Sequence, residues 1–227
     1  MRVAVVQFPG SNCDLDTVRA AERVGAEAYL VWHRDTDLQH ADAVMLPGGF
    51  AYGDYLRAGA IARFSPVMRS VQAFANEGGP VLGICNGFQV LCEAGLLPGA
   101  LMRNAGLRFF ARPVAVRLET TNTPFTGAYS LGAVLSIPVA HGEGRYVASP
   151  DVLATLTADD RVVMRYVDAN PNGSVDQIAG VVNEARNVVG MMPHPERAAD
   201  PAIGQTDGLG VFTSLMQVLH PSGGGVR

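Results

Sequence analysis

Apolar, β-branched runs alternate with helically spaced segments over the first hundred residues, and this alternation narrows the possible folds more than any other feature. Residues 2–8 (RVAVVQF) read as a buried strand, and residues 14–24 carry apolar side chains at helical spacing and end at Gly25. Ser11 or Asn12 is the expected helix cap. Strands are predicted at 27–32, 42–46 and 80–84, and helices at 58–76 and 86–93. Strand followed repeatedly by helix implies parallel βαβ units with right-handed crossovers. Beyond residue 110 the pattern changes. Strands at 113–119, 133–139, 161–167, 178–183 and 188–192 follow with few helices between, and NPNGS at 170–174 signals a hairpin turn. The expected class is α/β: three layers, a mainly parallel central sheet, and antiparallel strands added by the second half. A helix at 208–219 closes a single domain spanning 1–219, with a mobile tail at 220–227.

The chain's 227 residues, 48% hydrophobic and 17% charged, can bury a large core. A net charge of −4 argues against nucleic acid or an anionic membrane as partner. The N-terminal apolar run is too short for a signal sequence, and no stretch approaches the ~18 apolar residues of a membrane span, so a cytoplasmic protein is expected. Three cysteines in that setting point to free thiols. All 17 basic residues are arginine. Without lysine there is no Schiff-base chemistry and no Walker P-loop, so ATP, if consumed, falls to another chain.

Gly83-Ile84-Cys85-Asn86-Gly87 has the form of a nucleophile elbow, a sharp strand-to-helix turn that lifts the central side chain above the sheet edge. Side chains at the flanking glycines would collide with the neighbouring strand and helix. The helix N-terminus after Cys85 favours thiolate. Cys92 is expected in the core, and Cys13 carries no assigned chemistry.

A cysteine nucleophile wants a base and an orienter for it. Pro193-His194-Pro195-Glu196 offers both. Prolines favour extended conformations nearby, and residues two apart in an extended chain point to one side. Glu196 can then hold one imidazole nitrogen and leave the other for sulfur. Attack on an amide also needs two N–H donors for the oxyanion. Asn86, just after the elbow, supplies one; Gly49 in the loop after the 42–46 strand is the candidate for the second. No histidine spacing suits a metal, so none is expected.

LPGGFAYGDYLR at 46–57, GICNGFQVL at 83–91 and PHPER at 193–197 together resemble the class I, triad-type glutamine amidotransferases. FPGSNCD at 8–14, HGEGRY at 141–146 and TDGLGVFTSLM near the C-terminus are similar to the small glutaminase subunits of phosphoribosylformylglycinamidine synthases. The resemblance implies a flavodoxin-like fold, with Cys85, His194 and Glu196 as triad and Gln89 as a glutamine-binding residue. It implies that the HGEGRY loop lies near the glutamine site, making His141 and Glu143 binding candidates. It also implies that this chain holds no cofactor, that a separate large synthetase subunit binds ATP and magnesium, and that a small third subunit takes part. A glutaminase serving another acceptor and a non-catalytic flavodoxin-like binding module are the competing readings.

Overall fold

The computed structural model describes residues 1–220. The first half follows the alternation. β1 (Arg2–Gln7) leads to α1 (Asp14–Arg23), then β2 (Glu27–Trp32), β3 (Ala43–Leu46), α2 (Pro66–Asn76), β4 (Val81–Ile84) and α3 (Asn86–Glu93). β3 and β4 are buried throughout, as a parallel sheet covered on both faces requires. Each fully buried Val or Leu there contributes about 1.5–3 kcal/mol.

The second half supplies β5 (Ala100–Met102), β6 (Phe110–Leu118), β7 (Val134–His141), β8 (Arg145–Val147), α4 (Pro150–Ala158), β9 (Val162–Tyr166), β10 (Ile178–Val182), β11 (Val188–Met191) and α5 (Leu209–Leu219). One nine-stranded sheet runs in the order β2-β1-β3-β4-β11-β10-β9-β6-β7. Pairing is parallel from β2 to β11 and antiparallel from β11 to β7. β4 lies inside the parallel part, between β3 and β11. The antiparallel part curls back, as twisted sheets do. Its far strand β7 thereby returns to the β4 edge: Ala140 O lies 3.8 Å from Cys85 Sγ, and the His194 N–H donates to Pro138 O at 2.8 Å.

Three local expectations are corrected, and some elements were not anticipated. Residues 58–76 do not form one helix. Ser65, preceding Pro66, sits at ψ 142°, because proline disfavours α conformation in the residue before it, so α2 starts only at Pro66. Neither Ser11 nor Asn12 caps α1. Cys13 takes the cap position, while Ser11 Oγ accepts from the Phe8 N–H and Asn12 Oδ1 accepts from the Cys13 thiol. NPNGS lies between antiparallel strands β9 and β10, but the connection runs from 167 to 177 and is no tight hairpin. Its Asn172 is buried instead, donating to Gly144 O and Tyr166 Oη. Helix α4, capped by Ser149 with Pro150 in its first turn, and the β5–β8 ribbon were not anticipated. The expected tail falls, after His220, outside the described residues.

Candidate active site

Cys85 joins β4 to α3 at φ 50°, ψ −102°, a conformation that costs a non-glycine residue about 1–3 kcal/mol. The flanking glycines make this turn possible. A Cβ on Gly87 would lie 1.9 Å from Leu46 O of β3, and one on Gly83 would lie 2.7 Å from the Gly87 carbonyl and 2.5 Å from Leu91 Cδ1. The sulfur therefore stands where β4 meets α3 and lines a cavity of about 330 Å³. Gly49, Gln89, His141 and Glu143 line the same cavity.

His194 and Glu196 follow β11, the strand beside β4. His194 has φ −101°, ψ 85°, outside the α region as expected before proline, and Pro195 then opens a 3₁₀ turn. The pair thus meets across the start of a turn rather than along an extended chain. His194 Nδ1 lies 2.6 Å from Glu196 Oε1, and both side chains are buried. His194 Nε2 makes no hydrogen bond among the described residues. Burial pushes the imidazole pKa down, but the Glu196 carboxylate, followed by the Cys85 sulfur, overrides it and holds the pKa well above its ordinary value.

A second sulfur, to which the sequence assigned no chemistry, also approaches this ring. Cys13 Sγ accepts from Arg197 Nη2 at 3.1 Å and, with one His194 nitrogen and a Glu196 oxygen, forms a group whose atoms lie within 4.8 Å of one another. Such a set could hold a cation. Two features oppose one: His194 Nδ1 is bonded to Glu196, and the Arg197 charge rests on the sulfur. Burial pushes the Cys13 thiol pKa up.

Neither oxyanion candidate has an acceptor for its backbone N–H among the described residues. Residues 10–12 and 48–50 form a bridge through Asn12 N–H to Gly48 O and Phe50 N–H to Gly10 O, which leaves the Gly49 N–H outside the pair. The Asn86 N–H is at the first position of α3, where helical N–H groups lack intrahelical acceptors. The Asn86 side chain braces the loop, accepting from the Ala51 N–H at 3.0 Å and donating to Gln89 Oε1 at 2.8 Å.

Gln89 also donates to Glu143 O at 2.6 Å, tying α3 to the HGEGRY loop. His141 has both ring nitrogens engaged, Nδ1 with Asn104 Oδ1 at 3.1 Å and Nε2 with Asn172 Nδ2 at 3.4 Å. Burial lowers its pKa to about 4, so it is a neutral ring that fixes the loop. Asp54, within the GGFAYGD segment, also enters the cavity; burial and then Glu143 raise its pKa to about 6. Its place in that segment was the available signal. Asn104 and Asn172 carried none.

A family model described as "CobB/CobQ-like glutamine amidotransferase domain" matches residues 1–207. A Rubrobacter xylanophilus protein named phosphoribosylformylglycinamidine synthase subunit PurQ is 62% identical over 216 residues, covering 95% of this chain and 98% of its own. The Thermus thermophilus protein of the same name is 56% identical over 223 residues, covering 96% and 98%. A solved structure, "Structure of PurLQS from Thermotoga maritima", superposes with a TM-score of 0.88 at 45% identity, covering 96% of this chain and 98% of that one. A putative GMP synthase protein from Thermoplasma acidophilum has the same fold, with a TM-score of 0.66 at 17% identity over 97% and 94%.

Proposed function

The chain belongs to the CobB/CobQ-like glutamine amidotransferase family, and on that premise we propose that it is the glutaminase subunit of a phosphoribosylformylglycinamidine synthase, hydrolysing glutamine and delivering ammonia for purine synthesis. The observation that carries the chemistry is Cys85 at a strained elbow, opening onto a cavity beside a buried His194–Glu196 pair.

Cys85 thiolate attacks the glutamine side-chain carbonyl carbon. The Gly49 and Asn86 N–H groups receive the oxygen as it becomes negative. His194, held protonated by Glu196, gives its proton to the departing nitrogen, and ammonia leaves. The same imidazole, now neutral, takes a proton from water as the water attacks the thioester; glutamate departs and the thiolate returns. The contact between imidazole and sulfur tightens when substrate binds. Gln89 and Glu143 form the substrate wall, and the neutral His141 ring holds that wall in place.

Ammonia passes to a large synthetase subunit, which takes ATP, magnesium and the ribonucleotide acceptor; a small third subunit completes the complex. A chain without lysine has no P-loop of its own. No described helix is long and apolar enough to cross a membrane, and we place the complex in the cytoplasm. Relatives 45–62% identical favour this acceptor over an imidazole, pyridoxal phosphate or guanine pathway.

The test is Cys85→Ala in the assembled complex. Glutamine-dependent synthesis should vanish while ammonia-dependent synthesis persists. Loss of both in a correctly assembled complex, or retention of glutamine-dependent synthesis, overturns the assignment.

A further inference from the structure

One hydrogen bond, from His194 Nδ1 to Glu196 Oε1, tethers the buried imidazole to its carboxylate. His194 Nε2 and Glu196 Oε2 have no partner among the described residues. A ring held at one atom still pivots about that bond, and a misplacement of about 1 Å at a reacting atom costs about 10²-fold in rate. Packing at the Cε1 edge is what stops the pivot. Gly48 lies on that edge, where a Cβ would stand 2.5 Å from His194 Cε1 and 3.1 Å from Cys13 Sγ. Cys13 lies beside it, with Sγ within 4.8 Å of one ring nitrogen.

Cys13 occupies the N-cap of α1, yet its side chain makes no cap hydrogen bond. Serine, threonine, aspartate and asparagine are favoured there because their oxygen accepts from a free helical N–H. Cys13 forgoes that stabilisation, and its sulfur turns to the ring instead. Its backbone is fixed on both sides: the Cys13 N–H donates to Gly48 O at 3.2 Å, and the Thr17 hydroxyl donates to Cys13 O at 2.8 Å. Burial keeps the thiol protonated, and it donates to Asn12 Oδ1 at 3.1 Å. Arg197 closes the circuit. Its backbone N–H donates to His194 O at 3.1 Å, its Nη2 donates to Cys13 Sγ at 3.1 Å, and its Nε stands 3.5 Å from Asp16 Oδ2. One residue thus grips both the turn that carries the imidazole and the sulfur that backs it.

We propose that Arg197 and Cys13 are positioning residues for the glutaminase reaction: Arg197 holds the Cys13 sulfur beside the His194 ring, so that Nε2 keeps its aim at Cys85. This rests on the glutaminase reading and gives the second sulfur a function within it. A polarisable sulfur packs well at a ring edge. A methyl group in its place loses that contact and leaves the Arg197 guanidinium without its acceptor. Neither residue lines the cavity beside Cys85, so their loss affects turnover rather than glutamine binding.

The experiment uses the assembled complex. Arg197→Gln and Cys13→Ala should each lower kcat for glutamine hydrolysis about 10–100-fold and change KM less than about threefold, while ammonia-dependent synthesis stays at the wild-type level. The double variant should be no slower than the slower single one, because both act through one contact. Cys13→Ser separates position from stability. Its oxygen is able to cap α1, so its denaturation midpoint should equal or exceed that of wild type while kcat still falls about 10-fold. Unchanged kcat in both single variants overturns the proposal. So do losses that multiply in the double variant, or a Cys13→Ser chain whose turnover falls only in step with its stability. A wild-type complex that cannot hydrolyse glutamine overturns the glutaminase reading itself.

Discussion

Glu196 Oε1 lies 2.6 Å from His194 Nδ1 with both side chains out of water, so the imidazole tautomer and its charge are set by one carboxylate. Replacing that carboxylate by an amide removes the largest influence raising the His194 pKa. Glu196→Gln should lower kcat for glutamine hydrolysis by about 10²–10³-fold and move the alkaline limb of its pH profile to lower pH. The pair also stabilises the fold. An imidazole whose pKa is raised on folding contributes its stability in full below its ordinary value near 6.5, and loses it as pH climbs through the raised value. Denaturant unfolding of wild type and Glu196→Gln across pH should show the gap between them closing at high pH; a constant gap contradicts the coupling.

Gly48 does not take a left-handed φ, yet a Cβ there would lie 2.5 Å from His194 Cε1 and 3.1 Å from Cys13 Sγ. Gly48→Ala should displace the buried imidazole. The expected outcome is a stability loss of about 1–3 kcal/mol and a kcat loss of about 10²-fold. Wild-type turnover in this variant would mean that the ring position is not critical.

The Cys85 backbone is strained whatever its side chain, provided that side chain has a Cβ. Among inactive variants, Cys85→Gly should be more stable than Cys85→Ala by about 1 kcal/mol, the reverse of the usual order. Paired chemical denaturation curves decide this.

Thiol selectivity follows from thiol pKa and access to the cavity. Burial raises the pKa of both Cys13 and Cys92, and Cys92 is only partly buried on α3, whereas the Cys85 sulfur lines the cavity. At neutral pH, limited alkylation followed by peptide mass spectrometry should find the label on Cys85, with Cys13 and Cys92 modified at least ~10-fold more slowly. Equal labelling would show that the native fold does not shield the other two.

What the sequence alone determined is what local covalent geometry encodes. Short apolar runs bounded by turn residues made β1 to β4 legible almost to the residue. Glycines two before and two after Cys85 announced a turn that only close backbone packing demands, at Leu46 O and Leu91. The two-residue spacing of His194 and Glu196 announced a local pair. Tertiary structure alone decided which distant groups share that space. β7 returns to Cys85 because five strands of twisted sheet curl. Cys13 reaches Arg197 across 184 residues because α1 packs under the turn after β11. The same holds for the Asn104–His141–Asn172 lock, whose partners stand 31 and 37 residues apart. Such meetings depend on strand order, crossover hand and twist, quantities summed over the whole chain. The 58–76 segment failed as a helix for the opposite reason: a single proline outweighed a favourable apolar spacing.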